Sequence, residues 1–196
     1  MYRIAFLLVV LCIINPVCCP QSTPTSPAVI DAESYTFYSS LYRNSNSLAP
    51  EEVIAIAVEP LTLSSKKACL LPSTDEERKM VGEANRLSTQ PLTWSRRFDF
   101  GRPYVLISPA ETDKAIDCIG QRHGQSPMTG CESYAKLNYV RFLSVPIFNA
   151  DRTRALVAIG RACGGLCGNG STQVYRKTRD GWELEPNSFA RCIWVS

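Results

Sequence analysis

The chain has 196 residues, 45% of them apolar, and its 21 basic and 18 acidic side chains give a net charge of +3. That length suits one domain with a core of ordinary size and is short for two. The charges are spread along the chain, so no nucleic-acid footprint and no attraction to an anionic membrane surface is implied.

The first residues read as an export signal. Arg3 is followed by an apolar run to Ile14, broken by Asn15 and Pro16. The run is shorter than the ~20 residues that span a bilayer. A basic start, a short apolar centre and a polar break make a secretory leader over 1–19. The alternatives are an uncut anchor, because no small-x-small cleavage pattern is present, and lipid attachment at Cys18 or Cys19, whose preceding residues are not small. Residues 20–30, PQSTPTSPAVI, are polar and Pro-rich and read as a flexible linker. A single domain over 31–196 follows. No second apolar run of membrane length occurs, so no integral span is expected after leader removal. A secreted or periplasmic location is expected.

Asp31 caps a helix in which Tyr35, Tyr38, Leu41 and Tyr42 recur at helical spacing, a buried face rather than a ligand stripe. EEVIAIAVEPLTL (51–63) is a strand whose length Pro60 limits. STDEERKMVGEANRL (73–87) is a helix, with Ser73 and Glu76 as its capping box. RPYVLISPAETDKAI (102–116) is a strand and then a helix opened by Ser108, Pro109 and Glu111. Residues 119–130 carry the Gly, Pro and Ser of a loop. YVRFLSVPIFN, RALVAIGRA and STQVYRKT are strands. Asp180-Gly181 marks a hairpin, WELEP alternates with Trp182 and Leu184 inward, and ARCIWVS ends the domain as a short strand. The expected fold is α+β: an antiparallel sheet formed mainly by the C-terminal half, packed with two or three helices from the N-terminal half and stapled by disulfides.

Nine cysteines are present, and six remain without Cys12, Cys18 and Cys19. An even set in an exported chain reads as disulfides. Cys163 and Cys167 flank a tight turn, with Gly164, Gly165, Gly168 and Gly170 supplying positive φ angles and close approach. Cys118 and Cys131 close a short loop. Cys69 and Cys192 then pair by elimination.

The last third, with ACGGLCGNGST (162–172) after the strand at 155–159, Asp180 to Trp182, and Trp194 to Ser196, resembles a family of uncharacterised bacterial exported proteins. Those proteins place a C-G-G-L-C-G-x-G turn before a D-G-x-W hairpin and a final aromatic strand. The resemblance implies an envelope or secreted location and assigns no activity. Cys69, Cys118, Cys131 and Cys192 are additions to that pattern.

The chemistry available to the turn is limited. C-x-x-x-C followed by a strand is not the C-x-x-C helix start of a thiol oxidoreductase. No second cysteine pair accompanies it for zinc, and the one histidine is His123. No Lys and no helix follow the glycines, which excludes a P-loop and leaves a backbone anion nest as the minor alternative. Asn169-Gly170-Ser171 matches a glycosylation sequon that a bacterial protein would not normally use. No G-x-S-x-G or H-E-x-x-H is present. The expected function is therefore a non-enzymatic binding or interaction module, with no catalytic, metal or cofactor residues assigned. Its expected contact loop is Gly165, Leu166, Gly168 and Asn169, and its expected partner an envelope or extracellular protein or polysaccharide. The alternatives are a hydrolase using His123 with Ser126 or Ser133, and a thiol redox protein using Cys163 and Cys167.

Overall fold

The computed structural model describes residues 29–43, 52–63, 70–122, 129–165, 167–190 and 192–195. The leader, residues 20–28 of the linker, Cys69, His123, Ser126 and Leu166 lie outside the described residues.

The helices are α1 (Ala32–Arg43), α2 (Asp75–Leu87) and α3 (Pro109–Arg122). The strands are β1 (Ile54–Ala57), β2 (Tyr104–Ile107), β3 (Val140–Leu143), β4 (Ile147–Phe148), β5 (Arg154–Ala162), β6 (Asn169–Lys177), β7 (Trp182–Leu184) and β8 (Ile193–Val195). One sheet runs β2-β1-β3-β5-β6-β7, with β4 added to β5 and β8 to β6. β1 pairs in parallel with β2 and β3, and the remaining pairings are antiparallel. The α+β expectation holds. The N-terminal half adds a parallel edge to it.

Period-two alternation sends the residues of each strand to two faces. Ile54 and Ile56 of β1 share the first face with Leu143, Ala155 and Val157; α1 covers it through Tyr35, Phe37 and Tyr38, together with Trp94, Phe98 and Phe100. Ala55, Ala57 and Val140 point to the second face, under Ala115 and Ile119 of α3. Farther along that face, Met80 and Ala84 of α2 pack on Leu156, Ala158 and Val174. Ile30, counted with the linker from sequence, is buried as part of the first core.

Local chemistry sets the helix ends. Asp31 Oδ1 accepts the Glu33 amide at the start of α1. The capping box of α2 sits one residue later than its expected place: Thr74 is the cap and Glu77 returns to it. The Glu77 carboxylate also takes the Ser73 amide and hydroxyl, so it is the buried acid, not Glu76, that closes the turn. α3 continues to Arg122, four residues into the stretch expected to be loop, because Ile119 is buried against the sheet.

The strand expected over 139–149 is broken in two. Leu143 pairs with Ile159 and Ile147 with Leu156, so four steps on one strand face three on the other. That is a β-bulge at Ser144 to Pro146, where the proline has no amide to donate. Tyr38 Oη donates to the Ser144 carbonyl at 2.7 Å, while Trp94 Nε1 and the Leu61 amide both donate to the Leu143 carbonyl, at 3.2 and 3.0 Å. Burial raises the Tyr38 pKa well above the usual phenol range, so its proton stays in place.

In the hairpin, Lys177 pairs with Trp182, which leaves a four-residue loop at 178–181. Trp182 packs against Phe37 at 5.1 Å, as its inward sense requires. Leu184 differs from expectation: it shares that face but lies on the edge strand and is exposed.

Candidate functional site

The order β2-β1-β3 places β1 between two parallel neighbours. From β1 the chain runs first through α2, which packs on the second face, and then past the first face through Trp94, Phe98 and Phe100 to β2. It passes from β2 to β3 over the second face, through α3. The carboxyl ends of the strands are the usual ligand position of open sheets with parallel strands.

Two hollows occupy that position. One, of about 260 Å³, lies among residues 59–63, Ala84, Leu87 and Ser88 at the end of α2, residues 90–93, and Ser144, Val145 and Ile147 at the bulge. The other, of about 380 Å³, lies among Ala57, residues 59–62, Phe142, and Pro109, Thr112 and Asp113 in the first turns of α3. Residues 59–62 line both. The floors are apolar, formed by Ala57, Leu61, Phe142 and Ile147, while Thr62, Ser88, Gln90, Thr93 and Thr112 supply polar groups. Glu59 and Asp113 are exposed and have no hydrogen-bond or ion-pair partner among the described residues.

The walls are rigid for identifiable reasons. Glu111 accepts the Ser108 hydroxyl at 2.5 Å at the start of α3. α2 is tied to the sheet by Arg154, which donates to Glu185 at 2.7 and 3.0 Å, to Glu76 at 2.9 Å and to Glu77 at 3.3 Å. Burial favours the neutral Glu77 acid. The Ser73 and Thr74 donors and Arg154 outweigh it and hold the carboxyl at about 2. Hydrogen bonding to Glu185 leads the causes that raise Arg154 further above its ordinary range.

The sequence-predicted site residues lie elsewhere. Cys118 pairs with Cys131 and Cys163 with Cys167, with Cα separations of 5.5 and 5.4 Å. Cys192 is also disulfide-bonded, and Cys69, its expected partner, is outside the described residues. Of the expected contact loop, Gly165 is exposed, whereas Gly168 is buried and Asn169 is the first residue of β6, accepting from Arg161 Nε at 3.2 Å. Leu166 is outside the described residues. Positive φ is found at Gly164 and Gly165 but not at Gly170. Gly170 instead makes room for a ring, since a Cβ there would lie 2.7 Å from Trp194 Nε1 and closer still to other indole atoms. Of the hydrolase alternative, Ser133 is exposed on a single 3-10 turn, Glu132–Tyr134, and His123 and Ser126 are outside the described residues. No group of three His, Cys, Asp or Glu among the described residues converges as a metal site, and no described helix is long and apolar enough to cross a membrane.

No family model, no curated protein and no solved structure matches the chain. The crevice residues were not singled out from sequence. Their signal was the alternation of strand and helix from 51 to 143, which favours parallel pairing and hence a carboxyl-end site.

Proposed function

We propose that this protein is an exported, disulfide-stapled binding module whose partner seats in the crevice at the carboxyl ends of β1 and β3. The observation that carries the reading is the pair of hollows on either side of residues 59–62, beyond the carboxyl ends of β1 and β3. Export is supported by the leader-like residues 1–19, by the resemblance of the last third to exported bacterial proteins, and by the two disulfides. At about 260 and 380 Å³ the hollows lie near the lower end of the ~300–1,000 Å³ typical of pockets for drug-sized ligands. They suit successive units of an extended partner, one side chain or sugar ring in each, such as an envelope or extracellular protein or polysaccharide.

The test is capture of envelope proteins and polysaccharides by the full mature chain, followed by titration of the captured partner. Thr62 is exposed and lines both hollows, so Thr62→Arg fills them without disturbing the core. It should weaken binding at least ~10-fold, equivalent to ~1.4 kcal/mol. Asn169→Ala, at the cysteine turn, should leave affinity unchanged. The opposite pattern would move the interaction surface to the turn, and loss of binding in neither variant would reject both places.

A further inference from the structure

We propose that the Cys163–Cys167 staple is a redox-sensitive latch that sets the position of α3 and, through it, the shape of the crevice. This inference rests on the reading of that crevice as the binding site. It begins from the contact between the cysteine turn and α3. Gly164 adopts φ +86° and lies so close to the helix that a Cβ on it would be 2.5 Å from Gly120 Cα and 2.9 Å from the Ile116 carbonyl oxygen. A Cβ on Gly120 would in turn lie 2.9 Å from Gly164 Cα. Backbone thus presses on backbone, and neither partner can yield as a flexible side chain does.

Gly164 and Gly165 are both left-handed, at φ +86° and +55°, inside the ring closed by the disulfide. Glycine adopts that conformation freely but equally adopts others, so the ring closure is what holds the turn in the shape that fits α3. At the other end of the same helix, Pro109, Thr112 and Asp113 wall the second hollow. From Gly120 to Thr112 is ~12 Å along the axis at the helical rise, short enough for the helix to move as a rod. Cys118–Cys131 keeps its own hold on α3, and so acts as the pivot.

The latch is chemically accessible. Cys167 is exposed whereas Cys163 is 1% exposed. A thiolate of a dithiol reductant attacks Cys167 Sγ, the S–S bond breaks, and its electron pair leaves on Cys163, which takes a proton from solvent. The carbonyl oxygen of Cys167 is 2.9 Å from Cys163 Sγ and can accept from the thiol so formed. The second thiol of the reductant then attacks the mixed disulfide, closing its own disulfide and releasing Cys167 as a thiolate. Two electrons pass from the dithiol to the cystine.

The experiment compares the full oxidised chain with the chain mildly reduced by dithiothreitol, the state of each pair being read by alkylation and mass spectrometry. Two variants accompany it: Cys163→Ala/Cys167→Ala, and Gly120→Ala with the staple closed. Amide exchange over residues 116–122 should quicken at least ~10-fold on reduction and in both variants. The methyl resonances of Ala57, Leu61 and Thr112, which line the hollow, should shift with it. Unchanged exchange would overturn the latch, as would quickened exchange with stationary methyls, or a Cys163–Cys167 pair that reduces only together with Cys118–Cys131. If the double alanine variant fails to fold, mild reduction and Gly120→Ala still decide. None of these readouts uses a partner, so a crevice that binds nothing fails the capture experiment alone.

Discussion

Gly170→Ala tests the claim that Gly170 is a seat for an indole and not a turn residue. Gly170 and Trp194 face each other across the β6–β8 pairing, and the Trp194 ring also crosses Gly160. A methyl on Gly170 would stand 2.7 Å from Trp194 Nε1, with other ring atoms nearer, so the ring must leave its place. Trp194 packs on the second core, among Leu63, Ala158 and Phe189. A tryptophan buries ~150–250 Å² in all. Exposure of about half of that costs ~2–3 kcal/mol at ~25 cal/mol per Å². Replacing glycine offsets up to ~1 kcal/mol through the unfolded chain, leaving a net loss of about 2 kcal/mol. For a chain of this size the melting temperature should fall by ~4–8 °C. Urea unfolding, with tryptophan emission as a second probe, measures both the loss and the release of the ring. Gly160→Ala is the internal control. Its nearest contact would be 3.5 Å, to Trp194 Cζ2, and its φ is not positive, so stability should hold or rise by up to ~1 kcal/mol through the unfolded chain. Equal losses at the two positions, or an unmoved Trp194 emission in Gly170→Ala, would refute the reasoning.

Three further outcomes follow from the packing. The Glu77 carboxyl is held at about 2 against an ordinary 4.5, so its contribution is complete above pH ~4.5 and is lost as the pH falls toward 2. That contribution is about 3 kcal/mol, and in Glu77→Gln the acid limb of a stability–pH curve should flatten by this amount. Arg154→Met leaves Glu76, Glu77 and Glu185 without their shared cation; the loss should be about 3 kcal/mol at pH 7 by urea unfolding. Replacing Cys118 and Cys131 by alanine opens a loop of sequence separation 13 and should cost about 3 kcal/mol, more than the same change at Cys163 and Cys167, whose separation is 4.

The order of elements was legible because each carries its own local signal. The Val- and Ile-rich stretches at 54–57 and 154–159, the Asp31 cap and the Ser108-Pro109-Glu111 start all lie where expected. Errors arose where tertiary contacts decided between equivalent local choices. Ser73/Glu76 and Thr74/Glu77 both satisfy the capping pattern; the burial of Glu77 selects the second. Leu184 and Trp182 have the same strand sense, yet only Trp182 lies under Phe37 of α1. The glycines around Cys167 carry one signal but meet three separate needs, namely left-handed backbone at Gly164 and Gly165, contact with a helix at Gly164, and room for an indole at Gly170. A one-dimensional pattern does not separate these, because the atoms that need the space are ~25 or more residues away along the chain, as Trp194 and Gly120 are.

The crevice is a product of strand order, which no single stretch encodes. β1 and β3 become neighbours only because β2, which comes between them in the chain, pairs on the other edge of β1. The bulge at Ser144 to Pro146 then follows directly after β3, turning Ser144 and Val145 into the wall of the first hollow. Tyr38, Trp94 and Leu61 hold the Leu143 and Ser144 carbonyls at the start of that bulge, and they come from three separate segments. A partner entering the crevice therefore meets a wall fixed by both halves of the domain, and little ordering remains for it to drive at the bulge. Residues 59–62 are the exception among the walls. They line both hollows, and within them Glu59 and Thr62 are exposed. Selectivity between partners should accordingly respond to substitutions at Glu59 and Thr62 more than to changes at Ser144, where the hydroxyl is already committed to the Ala158 amide.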